Sequence, residues 1–317
     1  MRWLLPVTRR LGILAASLLA ASLLVFAILA ALPGSPAQVI LGTQATPQSV
    51  AQLTQQLGLN KPLPAQYLDW AGGLLAGHLG NSYISSQPIS GELGPALAVT
   101  GPLILGAIIV SVVIALPLGM ASAIRAGKPS GTAITVAGQL GIAVPTFVGG
   151  LLLTKAFALM THLLPATGFP GWQAGLGALR YLVLPAFALG IAEGAILLRF
   201  VRATVAEVLR SDYYRTARAK GLRPMRALRR HGTRNILIPL ITVLGLEIGG
   251  LIVGAIVVEN VFVLPGVGSL LLYAVSDRDL LVVQDIVMLV VAVVLVLNFL
   301  VDVSYRFLDP RVGGERP

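Results

Sequence analysis

Residues 211–239 read SDYYRTARAKGLRPMRALRRHGTRNILIP, a basic segment in an otherwise apolar chain. Between Arg199 and Arg234 lie 11 of the chain's 23 Lys and Arg residues. An apolar run ends near Leu198, and the next begins at Ile236. One Lys or Arg at mid-depth in hydrocarbon costs about 2.5–3.5 kcal/mol on insertion scales. The sequence therefore predicts that this segment is a loop in water between two membrane helices.

A short helix is predicted at the start of this loop. Ser211 or Asp212 can cap its N-terminus. Arg218 and Lys220 place positive charge in its last turn, where the helix dipole favours it, and Gly221 can end it in the left-handed conformation. A helix of about ten residues is not stable alone in water, so this pattern favours a docking element that a partner holds. The alternative is a solvated basic loop that only obeys membrane topology.

Small and aromatic residues support the docking interpretation. Tyr213 and Tyr214 lie near the start of the predicted helix, and Ala217 and Ala219 are positions where another backbone could approach closely.

Composition excludes several other classes of protein. The chain has 317 residues, of which 56% are hydrophobic and only 11% charged, unlike a soluble domain. Its net charge of +10 comes from basic residues beside apolar runs, and no nucleic-acid-reading motif accompanies them. Cysteine is absent, and His78, His162 and His231 have no ligand spacing, so no metal site is predicted. Walker A and G-x-S-x-G sequences are also absent, which argues against a P-loop or a hydrolase.

Apolar runs of 20 or more residues predict an all-α polytopic membrane protein. We expect six transmembrane helices, and these are assigned to residues 11–32, 96–124, 132–161, 181–198, 236–259 and 282–307. The third is interrupted by Pro145, and the fifth carries glycines at near-helical spacing, which favours close helix packing. A cleaved signal peptide is the alternative for the first run.

The distribution of charge predicts the orientation. With the N-terminus inside, 19 of the 23 basic residues fall on the cytoplasmic side and three fall outside. The positive-inside rule then places both termini in the cytoplasm and the segment between the first two helices outside. The predicted organisation is 1–32 for the N-terminus and first helix, 33–95 for an external subdomain, 96–307 for a five-helix transmembrane core with a cytoplasmic loop at 202–235, and 308–317 for a cytoplasmic tail.

The motif YRTARAKG followed by RHGTRNILIP resembles the cytoplasmic EAA loop of ABC-importer permeases, in the form carried by the dipeptide/oligopeptide/nickel permease family. Arg215, Thr216 and Ala217 stand where the general pattern has Glu-Ala-Ala, a departure that resembles the peptide branch. Other matching segments are LGL-x-x-PLP-x-QY, LG-x-S, RDLLVVQ and the terminal LDPR, so the resemblance runs almost end to end. Ser35 stands where the family usually has Asp.

The resemblance implies a type I ABC importer permease fold in a bacterial inner membrane. It also implies a coupling helix that docks in a groove of an ATPase subunit, formed by Asp212, Tyr213, Tyr214, Arg215, Thr216, Ala217, Arg218, Ala219, Lys220 and Gly221. The implied partners are a second homologous permease subunit, two ATPase subunits that bind ATP and Mg, and an extracytoplasmic substrate-binding protein. This chain itself would bind no cofactor and would not be an enzyme. Dipeptides or oligopeptides are the implied substrates, with nickel chelates, haem or glutathione-like peptides as alternatives.

Two further groups of residues are functional candidates. An external gate or receptor face, or simply a rigid turn, is assigned to Glu259, Phe262, Pro265, Gly266 and Gly268. Glu193 and Glu247 are acids deep in predicted spans, where an ionisable residue is a functional hypothesis by default. We interpret them as cavity-facing residues or a structural pair. An essential role for either acid would instead indicate a secondary transporter driven by an ion gradient, and a membrane scaffold that transports nothing is a third class.

Overall fold

The structure is a computed structural model that describes residues 4–32 and 34–308. Within these residues it is helical, and the only strand-like feature is an isolated bridge between Asn81 and Pro88. The α-helices, numbered in chain order, are α1 Leu4–Ala30, α2 Pro36–Leu41, α3 Pro47–Gln56, α4 Leu63–Leu75, α5 Ile89–Ile124, α6 Pro129–Ala143, α7 Thr146–Leu153, α8 Leu179–Arg210, α9 Asp212–Ala219, α10 Pro224–Ala227, α11 Thr233–Phe262, α12 Val267–Ser276 and α13 Leu280–Leu308.

Five of the described helices are long and apolar enough to cross a membrane, and a bent pair can supply a sixth crossing. The five segments are Thr8–Ala30, Ile89–Ile124, Trp172–Arg210, Asn235–Phe262 and Leu280–Val303. Their lengths fit the hydrocarbon core, which needs about 20 helical residues. The prediction of an all-α polytopic protein is therefore confirmed, with the third span as a broken helix.

Pro145 explains the break in the third span. The two helices on either side, Pro129–Ala143 and Thr146–Met160, are bent by 104°. Proline has no N–H to continue the helical hydrogen bonds, and it drives the preceding residue into an extended conformation. Val144 has φ −85° and ψ 118°, as this rule expects. The predicted interruption is thus confirmed as a sharp change of direction.

The predicted loop at 202–235 overlaps the C-terminal part of α8. Helix α8 continues to Arg210, twelve residues beyond the predicted end of its span at Leu198. Val201, Val205 and Val208 are buried at the spacing of one helical face, whereas Arg202 is partly exposed and Arg210 is exposed on the rest of the helix. Basic residues indicate where the membrane span ends, but α8 continues beyond that point to Arg210. The LDPR motif and the tail at 308–317 fall outside the described residues from position 309 onward.

The first of two compact units contains Met1–Thr100 and Pro265–Phe299. Its core is a cluster of buried apolar residues that includes Ile89, Leu93, Val267, Val282 and Ile286. Helices α2 to α4 form the subdomain between the first and second spans.

Two carboxylates near the start of α13 fasten this subdomain within the first unit. The Trp70 indole N–H donates to Asp285 Oδ1 at 2.8 Å, and the Ser82 hydroxyl donates to Asp279. Asp279 also accepts bonds from the backbone N–H groups of Tyr83 and Ile84 at 3.3 and 3.4 Å. Since Asp279 and Asp285 are almost fully buried, these donors offset part of the cost of burying them, and Asp285 Oδ2 has no hydrogen-bond partner among the described residues.

The second unit contains Gly101–Leu264 and Leu300–Pro317. Glycines allow its helices to approach closely. A Cβ on Gly190 would lie 2.6 Å from Val110 Cβ, and one on Gly254 would lie 3.0 Å from Leu189 Cδ2. The packing predicted for the glycines of the fifth span is therefore confirmed at Gly254 and at Gly245, where a Cβ would clash with Val301. It is wrong at Gly249, where a Cβ would meet nothing within 4 Å.

These two environments predict opposite outcomes for the same substitution. Gly190→Ala should destabilise the protein by about 1–3 kcal/mol, because the added methyl group overpacks the contact with Val110. Gly249→Ala is the matched control in an open position, and it should be neutral or slightly stabilising because alanine favours helix. The measurement is the thermal unfolding midpoint of the detergent-solubilised chain. Equal midpoints for the two variants would contradict this account of the packing.

Candidate functional site

The candidate coupling helix begins immediately after α8 with a sharp change of backbone direction. Ser211 is extended, with φ −70° and ψ 151°, and it occupies the N-cap position of α9. Its side chain does not cap α9, because the hydroxyl donates to the Val208 carbonyl of α8 at 2.6 Å. Asp212 provides the negative charge in the first turn of α9. The predicted Ser211 cap is therefore wrong in its hydrogen bonding, although the helix starts where expected.

The C-terminus of α9 is closed by a Schellman motif. Gly221 has φ +85°, its N–H donates to the Arg218 carbonyl at 3.0 Å, and the Leu222 N–H donates to the Ala217 carbonyl at 3.3 Å. The Arg218 guanidinium also donates to the Leu222 carbonyl at 2.6 Å. These bonds satisfy carbonyls that a helix end leaves free. The prediction that Gly221 ends the helix in the left-handed conformation is confirmed.

One face of α9 belongs to the chain's own core. Tyr214 and Ala217 are 8% and 5% exposed, and they belong to one apolar cluster with Val208 of α8 and Ile236 of α11. The spacing of three residues puts both side chains on the same side of the helix. Ala217 therefore packs inside this chain, and the prediction that a partner backbone approaches it is corrected. A short helix with one apolar face has to bury that face to be stable, and this chain supplies the surface itself.

Tyr213 takes the opposite role to its neighbour. Its side chain is 39% exposed, and its hydroxyl accepts a hydrogen bond from Asn235 Nδ2 at 2.8 Å. Tyr213, Asn235 and Glu207 also line a cavity of about 420 Å³ where α8, α9 and α11 meet. Tyr214 therefore packs in the core, whereas the adjacent Tyr213 lines an open cavity.

The remaining side chains of the candidate helix face outward. The exposed residues are Asp212, Tyr213, Arg215, Thr216, Arg218, Ala219, Lys220 and Gly221. Arg215 and Asp212 form an ion pair at 3.9 Å, and such exposed pairs contribute little to stability. This outward face carries three basic groups and one acid, and Ala219 is its small, uncharged position.

The residues predicted as an external gate fall into both compact units, and each group is described by itself. In the second unit, Glu259 and Phe262 are fully buried. The Phe262 carbonyl accepts from the Gly168 N–H at 2.8 Å, and its ring fills the space beside Gly150. Val263 follows in the left-handed conformation and ends α11.

In the first unit, Gly266 and Gly268 are buried and Pro265 is exposed. Gly266 occupies the N-cap position of α12, and the next N–H, of Val267, donates to Thr100 Oγ1 at 2.8 Å. These contacts account for a rigid turn, and a role in gating or receptor binding stays a prediction.

The structure brings the two intramembrane acids together. Glu193 of α8 and Glu247 of α11 have their carboxyl groups close to each other. A Cβ built on Gly250 would lie 3.7 Å from Glu193 Oε1 and 3.8 Å from Glu247 Oε2, so both carboxyls border the same small space. Both side chains are partly buried, in agreement with the structural-pair interpretation. Among the described residues no group of three or more His, Cys, Asp or Glu could hold a metal ion.

Comparison with known proteins decides the family. Residues 115–314 match the family described as binding-protein-dependent transport system inner membrane component, and residues 1–92 match the N-terminal family of such membrane components. The chain belongs to this family. It is therefore a multi-pass permease subunit of an ABC importer, and its fold is the type I ABC importer permease fold.

Similar permeases cover nearly the whole chain. The di/tripeptide transport system permease protein DppB of Pseudomonas aeruginosa is 36% identical, over 98% of this chain and 99% of that protein. A probable peptide ABC transporter permease protein, y4tP, of Sinorhizobium fredii is 35% identical over 96% and 98%. The glutathione transport system permease protein GsiC of Pectobacterium atrosepticum is 38% identical over 96% and 97%. The family resemblance predicted from the loop and tail motifs is confirmed.

Sequence reasoning about this permease missed the contacts that hold its subdomain. Trp70 and Asp285 are 215 positions apart, and nothing in the local pattern around either residue indicates the other. The only available signal was a chemical one, because an acid at the start of an apolar span requires a polar partner.

The adjacent tyrosines allow a direct test of which residue holds the candidate coupling helix. Tyr214→Ala should destabilise the packing of α9 by about 3–5 kcal/mol, because it removes a buried aromatic side chain. Amide hydrogen exchange across 212–222 should then increase strongly. Tyr213→Ala, the matched control, loses one exposed hydrogen bond and should change exchange little. The same protection in both variants would contradict the assigned burial.

Proposed function

We propose that this permease is one half of the translocation path of an ATP-driven importer for dipeptides and oligopeptides. The observation that carries the proposal is α9, a short helix closed at its end and fixed through Tyr214 and Ala217 to the two long helices α8 and α11. Its basic outward face is available to another protein. A docking helix with this attachment transmits movement of a partner directly to both membrane helices.

The proposed partners are those of the family, and they include ATPase subunits because no Walker A sequence occurs in this chain. A second, homologous permease subunit completes the path, and two ATPase subunits each receive one coupling helix. These subunits bind ATP and Mg and hydrolyse the ATP, while this chain performs no catalysis. A substrate-binding protein delivers cargo from the other side of the membrane. Closure of the ATPases on ATP then moves the coupling helices and switches the path between inward and outward access.

This mechanism requires α9 to face the cytoplasm of a bacterial cell. The positive-inside distribution supports that orientation, with both termini on the same side as α9. The subdomain between the first and second spans then faces outward, where the binding protein arrives, together with the proposed gate at Glu259, Phe262, Pro265, Gly266 and Gly268.

Peptides are the cargo that the relatives favour. Two of the similar permeases are named for di/tripeptide or peptide transport, and others are named for glutathione, itself a small peptide. Nickel chelates and haem are the alternative cargo classes. The binding protein determines much of the specificity for cargo. The assignment to peptides therefore rests on the similarity of the whole chain to peptide permeases.

A bulky substitution on the outward face tests the docking role of α9. Ala219 is exposed, so Ala219→Trp should leave folding intact. It should reduce co-purification of the ATPase subunits at least tenfold, because the indole would prevent close approach of the partner. Deletion of residues 212–221 should abolish co-purification without preventing membrane insertion.

Ala126→Trp provides the matched control. Ala126 is likewise an exposed alanine, in the basic turn between α5 and α6 that is predicted to lie on the same side of the membrane. This variant should bind the ATPase subunits normally. Undiminished pull-down by the Ala219→Trp protein, or by the deletion, would count against the docking role.

Cargo and energy source are tested together in proteoliposomes that contain the assembled transporter and its binding protein. Radiolabelled dialanine should accumulate only with ATP on the ATPase side and should be insensitive to an uncoupler. Accumulation that an uncoupler abolishes and ATP does not affect would identify an ion-driven transporter. Uptake of a nickel chelate, haem or glutathione in preference to dialanine would reassign the cargo.

A further inference from the structure

A cavity of about 330 Å³ lies within the first unit, where the end of α1 meets the start of α13. This volume is at the lower end of pockets that hold small molecules. Most of its wall is aliphatic and is formed by Leu29, Leu32, Val39, Val275, Leu280 and Val283. The docking helix α9 belongs to the second unit, so a ligand in this cavity would go beyond the importer mechanism proposed above.

The cavity lies at one surface of the membrane. The apolar span of α1 ends at Ala30, and that of α13 begins at Leu280. Leu29 and Leu280, which both line the cavity, are therefore in the last turn of one span and the first turn of the other. The hydrocarbon chains of lipids meet their polar headgroups at this depth. A molecule that suits the cavity has an apolar part on the membrane side and a polar part on the water side.

Among the described residues that line the cavity, Arg278 alone is charged. Its Nη1 would lie 3.0 Å from a Cβ built on Gly34, which also lines the cavity, so the guanidinium itself is at the wall. The Arg278 side chain forms no hydrogen bond or ion pair with any residue that the structure describes. Its neighbours Asp277 and Asp279 do not line the cavity, and Asp279 accepts from the Ser82 hydroxyl. The charge of Arg278 is therefore available to an anion.

The backbone of Arg278 supports a role for its side chain. Arg278 has φ +55°, in the left-handed region, and it follows the C-terminus of α12. Its N–H donates to the Val275 carbonyl at 3.2 Å, and the Asp279 N–H donates to the Ala274 carbonyl at 2.8 Å, which is the Schellman arrangement. Glycine is the usual residue at this position, because it adopts the conformation without strain. An arginine here costs stability, and a binding function of its side chain accounts for that cost.

A second donor lies in the same wall. Ser35 lines the cavity and is partly buried, and its hydroxyl does not cap α2 although the residue occupies the N-cap position. This hydroxyl has no hydrogen-bond partner in the part of the chain that the structure describes. A guanidinium and a hydroxyl are both donors that suit phosphate oxygens, and the guanidinium also neutralises the charge.

We propose that this cavity binds an anionic phospholipid, with its phosphate at Arg278 and Ser35 and the start of an acyl chain against the aliphatic wall. A small soluble anion would make no use of that wall. A zwitterionic phospholipid suits the cavity less well, because none of the described lining residues offers a carboxylate to its ammonium. Phosphatidylglycerol meets both requirements. The bound lipid connects the end of α1 to the turn between α12 and α13.

Native mass spectrometry of the full-length permease in detergent measures the affinity for the first lipid bound. Dioleoyl-phosphatidylglycerol should bind about tenfold more tightly than dioleoyl-phosphatidylcholine, because it alone brings a net negative charge to Arg278. Glycerol 3-phosphate, which has the phosphate without acyl chains, should not displace it. Equal affinity for the two lipids would overturn the proposal. Displacement by glycerol 3-phosphate would indicate a site for a soluble anion and would also overturn it.

Substitution of Arg278 locates the lipid. Arg278→Gln should weaken the binding of phosphatidylglycerol about tenfold, because it removes the charge from the cavity wall. Arg180→Gln is the matched control and should bind as the parent does, since Arg180 is an exposed arginine that does not line the cavity. Normal binding by Arg278→Gln would refute the site.

Arg278→Gly separates a loss of binding from a loss of folding. Glycine relieves the left-handed conformation, so this variant should keep the thermal unfolding midpoint of the parent, measured without added lipid. It should nevertheless bind phosphatidylglycerol about tenfold more weakly. A variant that folds normally and binds the lipid with unchanged affinity would show that the side chain has no role in binding.

Ser35→Asp tests the sign of the charge in the cavity. The new carboxylate would offset the charge of Arg278 and repel a phosphate, so the affinity for phosphatidylglycerol should fall about tenfold or more. Ser86→Asp is the matched control at an exposed serine outside the cavity, where the φ of +57° suits aspartate, and it should have no effect. Unchanged affinity in Ser35→Asp would contradict the assigned position of the phosphate.

The assembled transporter distinguishes a lipid from a protein as the occupant. Phosphatidylglycerol should remain bound, with the same dependence on Arg278, when the permease is purified with its ATPase subunits, second permease subunit and binding protein. Displacement of the lipid on assembly would assign the cavity to a protein interface and would overturn the proposal.

Discussion

Burial of Tyr214 and Ala217 against α8 and α11 determines the position of α9. Eight helical residues form too few internal hydrogen bonds to hold their conformation in water. The helix therefore exists because the ends of two long helices provide an apolar surface for one of its faces. Its opposite face is left exposed and basic as a direct result. A partner that moves this helix has to move α8 and α11 as well, since separating them would expose the buried tyrosine.

In the first unit, hydrogen bonds to buried carboxylates, and not apolar packing, hold a small element against a long helix. Its subdomain is small and largely polar, and its helices α2 and α3 contain almost no fully buried side chain. The attachment to α13 depends on Asp279 and Asp285, which are buried and receive donors from Ser82 and Trp70. Because each carboxylate loses much of its stabilisation if its donors leave, these contacts specify one arrangement of the subdomain more strongly than apolar packing would.

The physics of the bilayer explains which features could be predicted from the sequence. Apolar runs have to match the hydrocarbon thickness, so the spans were visible, and the chemistry of Pro145 and Gly221 identified a break and a helix end. The continuation of α8 beyond Leu198 was not predicted, because an amphipathic helix can continue into water with its charges on one face. The inward face of α9 and the bond between Trp70 and Asp285 depend on residues far apart in the chain, and no local pattern encodes such contacts.

The length of α8 has a mechanical consequence. Its 32 residues correspond to about 48 Å at the usual helical rise, whereas the hydrocarbon core is about 30 Å thick. A stiff rod of that size, turned by about 10° around its midpoint, carries its ends sideways by about 4 Å. A small rotation of the helix within the bilayer therefore gives a displacement of several ångströms at its water-exposed end. Conversely, a partner that displaces this end by about 4 Å rotates the helix in the bilayer by only about 10°.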